Sequence, residues 1–369
     1  MNPKRNCVML ANGHPPFDTR IFVKEACTLA KAGYHVSIIL PHHQDEYRDG
    51  VRILSVTPIQ SGFQKLFISP WNIFMKAVRQ PSQSIYHIHD SNILHIGILL
   101  KLMGRTVIYD AHEDTPLQIS YQHWIPKLLR KPYAWFYYVV EKLCGWMFDS
   151  IIVAEPVISK YFPASKTHLI RNFPYVDYFR AHPAIDYERR NRRLTCLGTL
   201  TKARGLYEML EGAKQASKSV EFEFMLGGKF SPPQLEDHVR STYTIKFMEW
   251  LTYPQVVDVL FDSQVGIIIP NPNERYKTNY PVKLFEFMAA GLPVIASREG
   301  ESTQFITECD GGLLIDPLNI DEVSNAIVWL FQHPEDAKAM GKRGQELIFS
   351  TYNWEKESEV LLRVYEKLT

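Results

Sequence analysis

The residues best suited to chemistry lie in the second half of the chain, in the string PVKLFEFMAAGLPVIAS at 281–297. Pro281 starts a helix and Gly291 stops it, ahead of a buried strand at 293–296. The first turn, with Val282 in it, leaves N–H groups without helical partners at the positive end of the helix dipole, a seat for a diphosphate. Lys283 adds a cation that suits a phosphate and equally suits solvent. Glu286, one turn further in, carries a carboxylate able to accept two hydrogen bonds from neighbouring hydroxyls, as a ribose presents. Taken alone, a Glu there reads as a solvated helix residue. A second segment, LGTLTKARG at 197–205, joins a strand to a helix. Gly198 gives the turn and Arg204 brings a guanidinium to the helix start, together a diphosphate clamp. Gly227 and Gly228 make the next tight turn.

In the first half, NGHPPFDTR at 12–20 connects a strand to a helix. Gly13 permits close backbone approach to a ligand and Asp18 is a good N-cap. Arg20 sits in the first turn, where a cation is mildly unfavourable and so points to a partner nearby. Two more segments end strands in titratable groups: YHIHD at 86–90, with His89 and Asp90, and IYDAHED at 108–114, with His112 and Glu113. These belong to separate crossovers without the usual helical spacing of metal ligands, and no metal is expected. No G-x-G-x-x-G occurs, which counts against a dinucleotide-binding dehydrogenase.

These groups need a frame, and the chain repeats short β-branched runs between longer amphipathic stretches, the pattern of parallel sheets flanked by helices. Strands are expected at 7–11, 34–40, 51–56, 84–88, 106–109 and 150–154. They resume at 194–198, 221–226, 244–247, 265–269, 293–296 and 312–315, with a helix at 18–32 and a last one at 353–368. A polar stretch at 181–193 reads as the linker. With 369 residues the chain exceeds what one hydrophobic core serves, so two α/β domains are expected, 1–180 and 181–350, with 351–369 as a helix returning to the first. Such sheets bind ligands beyond the carboxyl ends of their strands, and two facing units create a cleft.

Composition narrows the partners. Hydrophobic residues make 46% and charged ones 22%, with a formal charge of +1, so nothing global favours nucleic acid. Five scattered cysteines without a CxxC pair fit neither a zinc site nor a disulfide framework, and suit a reducing compartment. No secretory signal and no bilayer-spanning run are evident, and a cytoplasmic protein is expected. Residues 124–148 mix Lys127, Arg130 and Lys131 with Trp124, Leu128, Trp135, Phe136 and Trp146. That composition suits either an interfacial helix on anionic lipid, at the inner face of a membrane, or a core-facing helix with a basic rim.

The strings around Glu286 and Arg204 resemble the donor-binding segments of family 4 retaining glycosyltransferases, which have the GT-B fold of two Rossmann-like domains facing each other across a deep cleft. The match covers P-x-K-L-F-E-F-M-A-A-G-x-P-V-I-A and G-x-L-x-x-x-[KR]-G; H-x-H-D, Y-D-x-H-E and the Asn172 turn extend it from about Asn12 to Pro317. The resemblance implies that Glu286 holds the ribose, Arg204 the diphosphate, and that Gly228 lies near the nucleotide. It places His112 over the donor sugar and Glu113 on the acceptor side, with His89 and Asp90 lining the same cleft; Gly13 is assigned to the donor, Asp18 and Arg20 to the acceptor side. His112, Arg204 and Lys283 are then the catalytic set.

A retaining, metal-independent transfer follows, from a UDP- or GDP-sugar to a glycan or lipid-linked acceptor, in cell-surface polysaccharide assembly. No D-x-D motif occurs, and the nucleotide-sugar is a co-substrate rather than a cofactor. Thr278 stands where the family often has a Glu, and Thr199 where it often has a basic residue. A catalytically silent GT-B partner of an active enzyme is therefore the alternative; a nucleotide-sugar epimerase ranks behind it.

Overall fold

In a computed structural model of the chain, residues 5–59, 62–122, 125–183, 185–249 and 251–368 are described, 62–66 by backbone alone. The chain divides into two compact units, Met1–Asn172 with Glu355–Thr369, and Phe173–Trp354.

The first unit is built on one sheet: β1 (Asn6–Leu10), β2 (His35–Pro41), β3 (Glu46–Arg48), β4 (Val51–Val56), β5 (Ile85–Ile88), β6 (Thr106–Ala111), β7 (Ser150–Val153) and β8 (Thr167–Leu169). Their order is β3-β4-β2-β1-β5-β6-β7-β8, parallel throughout except for the antiparallel β3–β4 pair. Strand alternation sorts the side chains by face. Val8, Leu10, Tyr86, Ile88, Val107 and Tyr109 pack under the helices Gly62–Ala77, Leu94–Leu102 and Lys127–Met147. The opposite parity carries Cys7, His87 and Asp110, and here polar groups are buried with them. The C-terminal helix Trp354–Leu368 meets this second face: the Tyr365 hydroxyl lies 2.9 Å from His87 Nδ1 and 3.2 Å from Cys7 Sγ.

The second unit has a six-stranded parallel sheet: β9 (Arg193–Leu200), β10 (Glu223–Phe230), β11 (Lys246–Met248), β12 (Val265–Ile268), β13 (Val294–Ser297) and β14 (Gly312–Ile315). Its order is β11-β10-β9-β12-β13-β14, so both units are Rossmann-like. Every expected strand is present. Two were not foreseen, the three-residue β3 and β8, too short to show a period.

Two expectations change. The polar stretch at 181–193 belongs to the second unit: Arg190 donates to the carbonyls of Ser263 and Ala290, and Arg193 pairs with Glu223 and Asp262. The boundary falls instead at 172/173, because Phe173, Val176 and Phe179 join the second unit's core, and the return falls at 354/355. The helix expected at 18–32 opens as a π-helix, Thr19–Ala26, before Cys27–Lys31 turns α-helical; Asp18 caps it and Gly33 ends it at φ 91°.

The returning helix is tethered through Glu357, which accepts from the Arg171 N–H at 2.8 Å and pairs with its guanidinium at 3.2 Å. Glu357→Ala removes the acceptor of that backbone N–H and the carboxylate beside that guanidinium in the first unit. It is expected to lower that unit's unfolding free energy by about 1–3 kcal/mol, measured by urea denaturation. An unchanged midpoint would mean that the helix docks by its apolar face alone.

Candidate functional site

In the first unit β1 lies between β2 and β5, so the chain runs away from β1 on both sides and leaves a crevice at the carboxyl ends of β1 and β5. The residues that follow both strands meet there. Asp90 accepts from the backbone N–H groups of Asn12 (2.6 Å) and Gly13 (3.1 Å), and a side chain at Gly13 would press on that carboxylate. His14 stands between two carboxylates, Nδ1 3.4 Å from Asp18 and Nε2 3.5 Å from Asp90, with its ring 5.1 Å from that of His112. Burial alone would lower the His14 pKa. The hydrogen bond to Asp18 and the charges of Asp90, Asp18 and the exposed Glu113 outweigh it and raise the pKa to about 9. Asp18 moves the other way, to about 2: burial would raise it, but His14 and the amides of Ile21 and Arg20 prevail. Sequence reading passed over His14, since its Asp90 partner comes from another crossover.

Beneath this surface lies a buried charge cluster. Arg20, expected to line the site, is only 4% exposed. It grips Asp110 with two bonds of 2.8 Å, donates to the Ile170 carbonyl and lies 3.1 Å from Glu25. Its chemistry explains the reversal: a guanidinium in the first turn needed a carboxylate, and β6 supplies one. Burial would raise Asp110, but Arg20 holds it well below the usual carboxylate range. Glu25 is pushed well above that range by burial and by the charge of Asp110. His89, also expected to line the cleft, is buried, with Nδ1 3.3 Å from Asp110, and burial lowers its pKa. Glu25, His87, His89 and Asp110 bring ligand atoms within 4.8 Å of one another, the reach of a metal site. Arg20 already serves as the cation for both carboxylates, and a divalent ion would sit against it. His112 remains at the edge, Nδ1 3.4 Å from the Asp110 carboxylate; that charge outweighs burial and raises its pKa.

In the second unit the corresponding crevice lies between β9 and β12. Gly198 (φ 127°) and Gly228 (φ 135°) let β9 and β10 run past each other so closely that a methyl on Gly228 would overlap the Gly198 carbonyl. Thr201 caps the turn Lys202–Arg204 by accepting from the Arg204 N–H. The exposed Arg204 guanidinium folds back toward the Thr199 carbonyl at 3.5 Å. Asn271, after β12, pins this turn: its amide donates to the Lys202 carbonyl (3.1 Å) and to Glu208 (3.0 Å). It was not foreseen, since a single loop Asn carries no pattern.

The helix Val282–Ala289 begins after Pro281 with no side-chain cap, and of its first-turn donors the Leu284 N–H bonds the Pro281 carbonyl at 2.9 Å. Lys283, rather than reaching solvent, bonds Glu286 at 2.5 Å, and Glu286 is 2% exposed. Phe285, Phe287 and Met288 are buried in the unit's core and hold the helix in place. The structure thus groups Gly198, Arg204 and Gly228, pairs Lys283 with Glu286, and, in the first unit, groups Gly13, Asp18, Asp90 and His112.

Comparison with known proteins follows the same lines. Residues 191–333 match the family Glycosyl transferases group 1. The chain is 23% identical to spore coat protein SA of Bacillus subtilis strain 168 over 236 residues, which is 57% of the chain and only 62% of that protein. It is 21% identical over 295 residues to MMP alpha-(1->4)-mannosyltransferase of Mycolicibacterium hassiacum, 76% of the chain and 70% of that relative. The structure of HepE from Anabaena in complex with UDP and glucose superposes with a TM-score of 0.72 at 12% identity, covering 99% of this chain and 100% of HepE.

The His14 pair makes a testable charge. His14 is raised from 6.5 to about 9, so its contribution to stability is whole below about pH 6.5 and lost as pH rises through about 9. Asp18 is lowered from 3.8 to about 2, so its contribution is whole above about 3.8 and lost as pH falls through about 2. His14→Gln should therefore destabilise the first unit most between about pH 4 and 6.5, and not at all well above pH 9, in unfolding series across pH. With two parallel-sheet Rossmann-like units and a glycosyltransferase-type segment over 191–333, the chain is a GT-B-fold protein related to the glycosyltransferases.

Proposed function

We propose that the chain is a retaining, metal-independent glycosyltransferase. It takes a sugar from a UDP- or GDP-sugar and delivers it to a glycan or lipid-linked acceptor in cell-surface polysaccharide assembly, on the cytoplasmic side of a membrane. The observations that carry this reading are the uncapped helix start at Val282 with the Lys283–Glu286 pair and the turn that bears Arg204, both in the second unit. Relatives include a mannosyltransferase, and HepE, which shares the fold, binds UDP and glucose.

In this reading the second unit holds the nucleotide. Helix N–H groups and Arg204 take the diphosphate, whose negative charge grows as the bond to the sugar breaks. Glu286 accepts from the ribose hydroxyls, and Lys283 holds that carboxylate in place while lending a positive charge. These are the groups needed to stabilise a diphosphate leaving group without a divalent ion. In the first unit, Asp110 engages His112 Nδ1 and leaves the other edge of the ring for the donor sugar. No protein nucleophile is invoked; the donor phosphate itself assists loss of the acceptor proton.

Two variants test the reading. Glu286→Ala should weaken binding of UDP or GDP by roughly 1.5–3 kcal/mol in titration calorimetry, the range for a hydrogen bond to a charged group. Unchanged affinity in a folded variant would remove Glu286 from the nucleotide site. Arg204→Ala should depress turnover more than donor affinity, because its charge matters most in the transition state. Equal losses in kcat/KM and donor affinity, with kcat unchanged, would make Arg204 a binding residue only.

A further inference from the structure

We infer that the helical layer of the first unit is an anionic-lipid-binding surface formed jointly by the helices Gly62–Ala77, Leu94–Leu102 and Lys127–Met147. The inference deepens the lipid-linked acceptor reading proposed above. Its basis is where the apolar side chains point. The helix Lys127–Met147 turns its Glu141, Cys144 and Gly145 face inward, with Glu141 accepting from the Tyr109 hydroxyl. Its outward ridge, at spacings of seven, four and seven, carries Leu128 (91% exposed), Trp135 (67%), Val139 and Trp146 (74%). An aromatic stripe facing outward is the reverse of a core-facing helix.

Its neighbours repeat the arrangement. The helix Leu94–Leu102 packs beside it and exposes Leu99 and Leu102, followed by Met103; the helix Gly62–Ala77, over the same face of the sheet, exposes Trp71 and Met75. Among the described residues, 14 of the 18 exposed large hydrophobics of the chain lie on or just beyond these three helices. Scattered apolar residues need no explanation, but a concentration on one layer does. Trp124 of the same stretch lies outside the described residues.

Charge selects the occupant. The three helices contain one acidic residue, Glu141, which is buried, and seven basic ones: Lys65, Lys76, Lys101, Lys127, Arg130, Lys131 and Lys142. Lys76 and Lys101 are matched by Asp45 and Asp149, whereas Lys127, Lys131 and Lys142 have no acidic partner among the described residues. A protein interface depletes lysine at its centre, whereas tryptophan with lysine on one helix face suits headgroups and acyl chains together. No described helix is long and apolar enough to cross a membrane, so the layer would lie on the bilayer.

The test uses the full chain and lipid alone, with no sugar transfer, so that this surface and the transferase reading can fail separately. Flotation with vesicles of phosphatidylglycerol and phosphatidylcholine should carry the protein up, and pure phosphatidylcholine should carry far less. Trp135→Ser with Trp146→Ser should reduce the partition about tenfold or more. Lys131→Glu with Lys142→Glu should abolish the preference for phosphatidylglycerol. All four positions are on the exposed face, and an unchanged urea-denaturation midpoint would verify that the variants are folded. No uptake by anionic vesicles, uptake indifferent to the tryptophans, or a dimer in sedimentation equilibrium that the tryptophan variants dissociate without any lipid uptake would overturn the inference.

Discussion

The first unit depends on one buried ion pair. Arg20 and Asp110 are brought together from the first crossover and the sheet's sixth strand, and both are shut away from water. Removing either partner of such a pair typically costs about 3–5 kcal/mol, because the other is left as an uncompensated buried charge. The pair also sets the protonation of its surroundings. With Asp110 held ionised, Glu25 is driven toward its neutral form and His112 toward its charged one. A surface histidine is thereby oriented by a carboxylate that itself never meets solvent. The π-helical opening of Thr19–Ala26 belongs to the same arrangement, since Arg20 and Glu25 both leave it toward Asp110.

The second unit solves a different problem, the close approach of backbones. Gly198 and Gly228 have conformations that side chains rarely adopt, and a side chain on Gly228 would collide with the Gly198 carbonyl. What emerges is a ledge of backbone with a guanidinium at one end, in the same parallel-sheet unit as the uncapped helix start at Val282. Phosphate groups are recognised by such ledges because amide donors held by a sheet and a helix need no reorganisation on binding.

Much of the architecture was legible in the residues. The helix that opens the string at 281–297 and the strand that ends it were readable because proline, glycine and a short apolar run act over a few positions. The glycines at 198 and 228 stood out in the sequence but not as strand residues: expected to make turns, both lie inside β9 and β10 and pair with each other. His14 was not, because nothing local announces that two carboxylates from different parts of the chain will flank it. Asn271 was not, because its value lies in the turn it holds across a strand boundary. The polar run at 181–193 misled for a related reason: Arg190 and Arg193 are satisfied by carbonyls and carboxylates of the second unit, so a string that resembles a solvated linker is partly buried.

The sequence by itself determined the element types and the alternation into two α/β units, and it singled out the residues proposed to hold a diphosphate, since each rests on local periodicity and turn chemistry. Tertiary structure alone decided which charges are neutralised in the interior, where one unit ends, and which way the aromatic helix Lys127–Met147 faces. Those outcomes hang on partners far apart in the chain. Helical period fixes that a stripe exists; only the packing of Cys144 and Gly145 against the sheet fixes that the tryptophans are left outside.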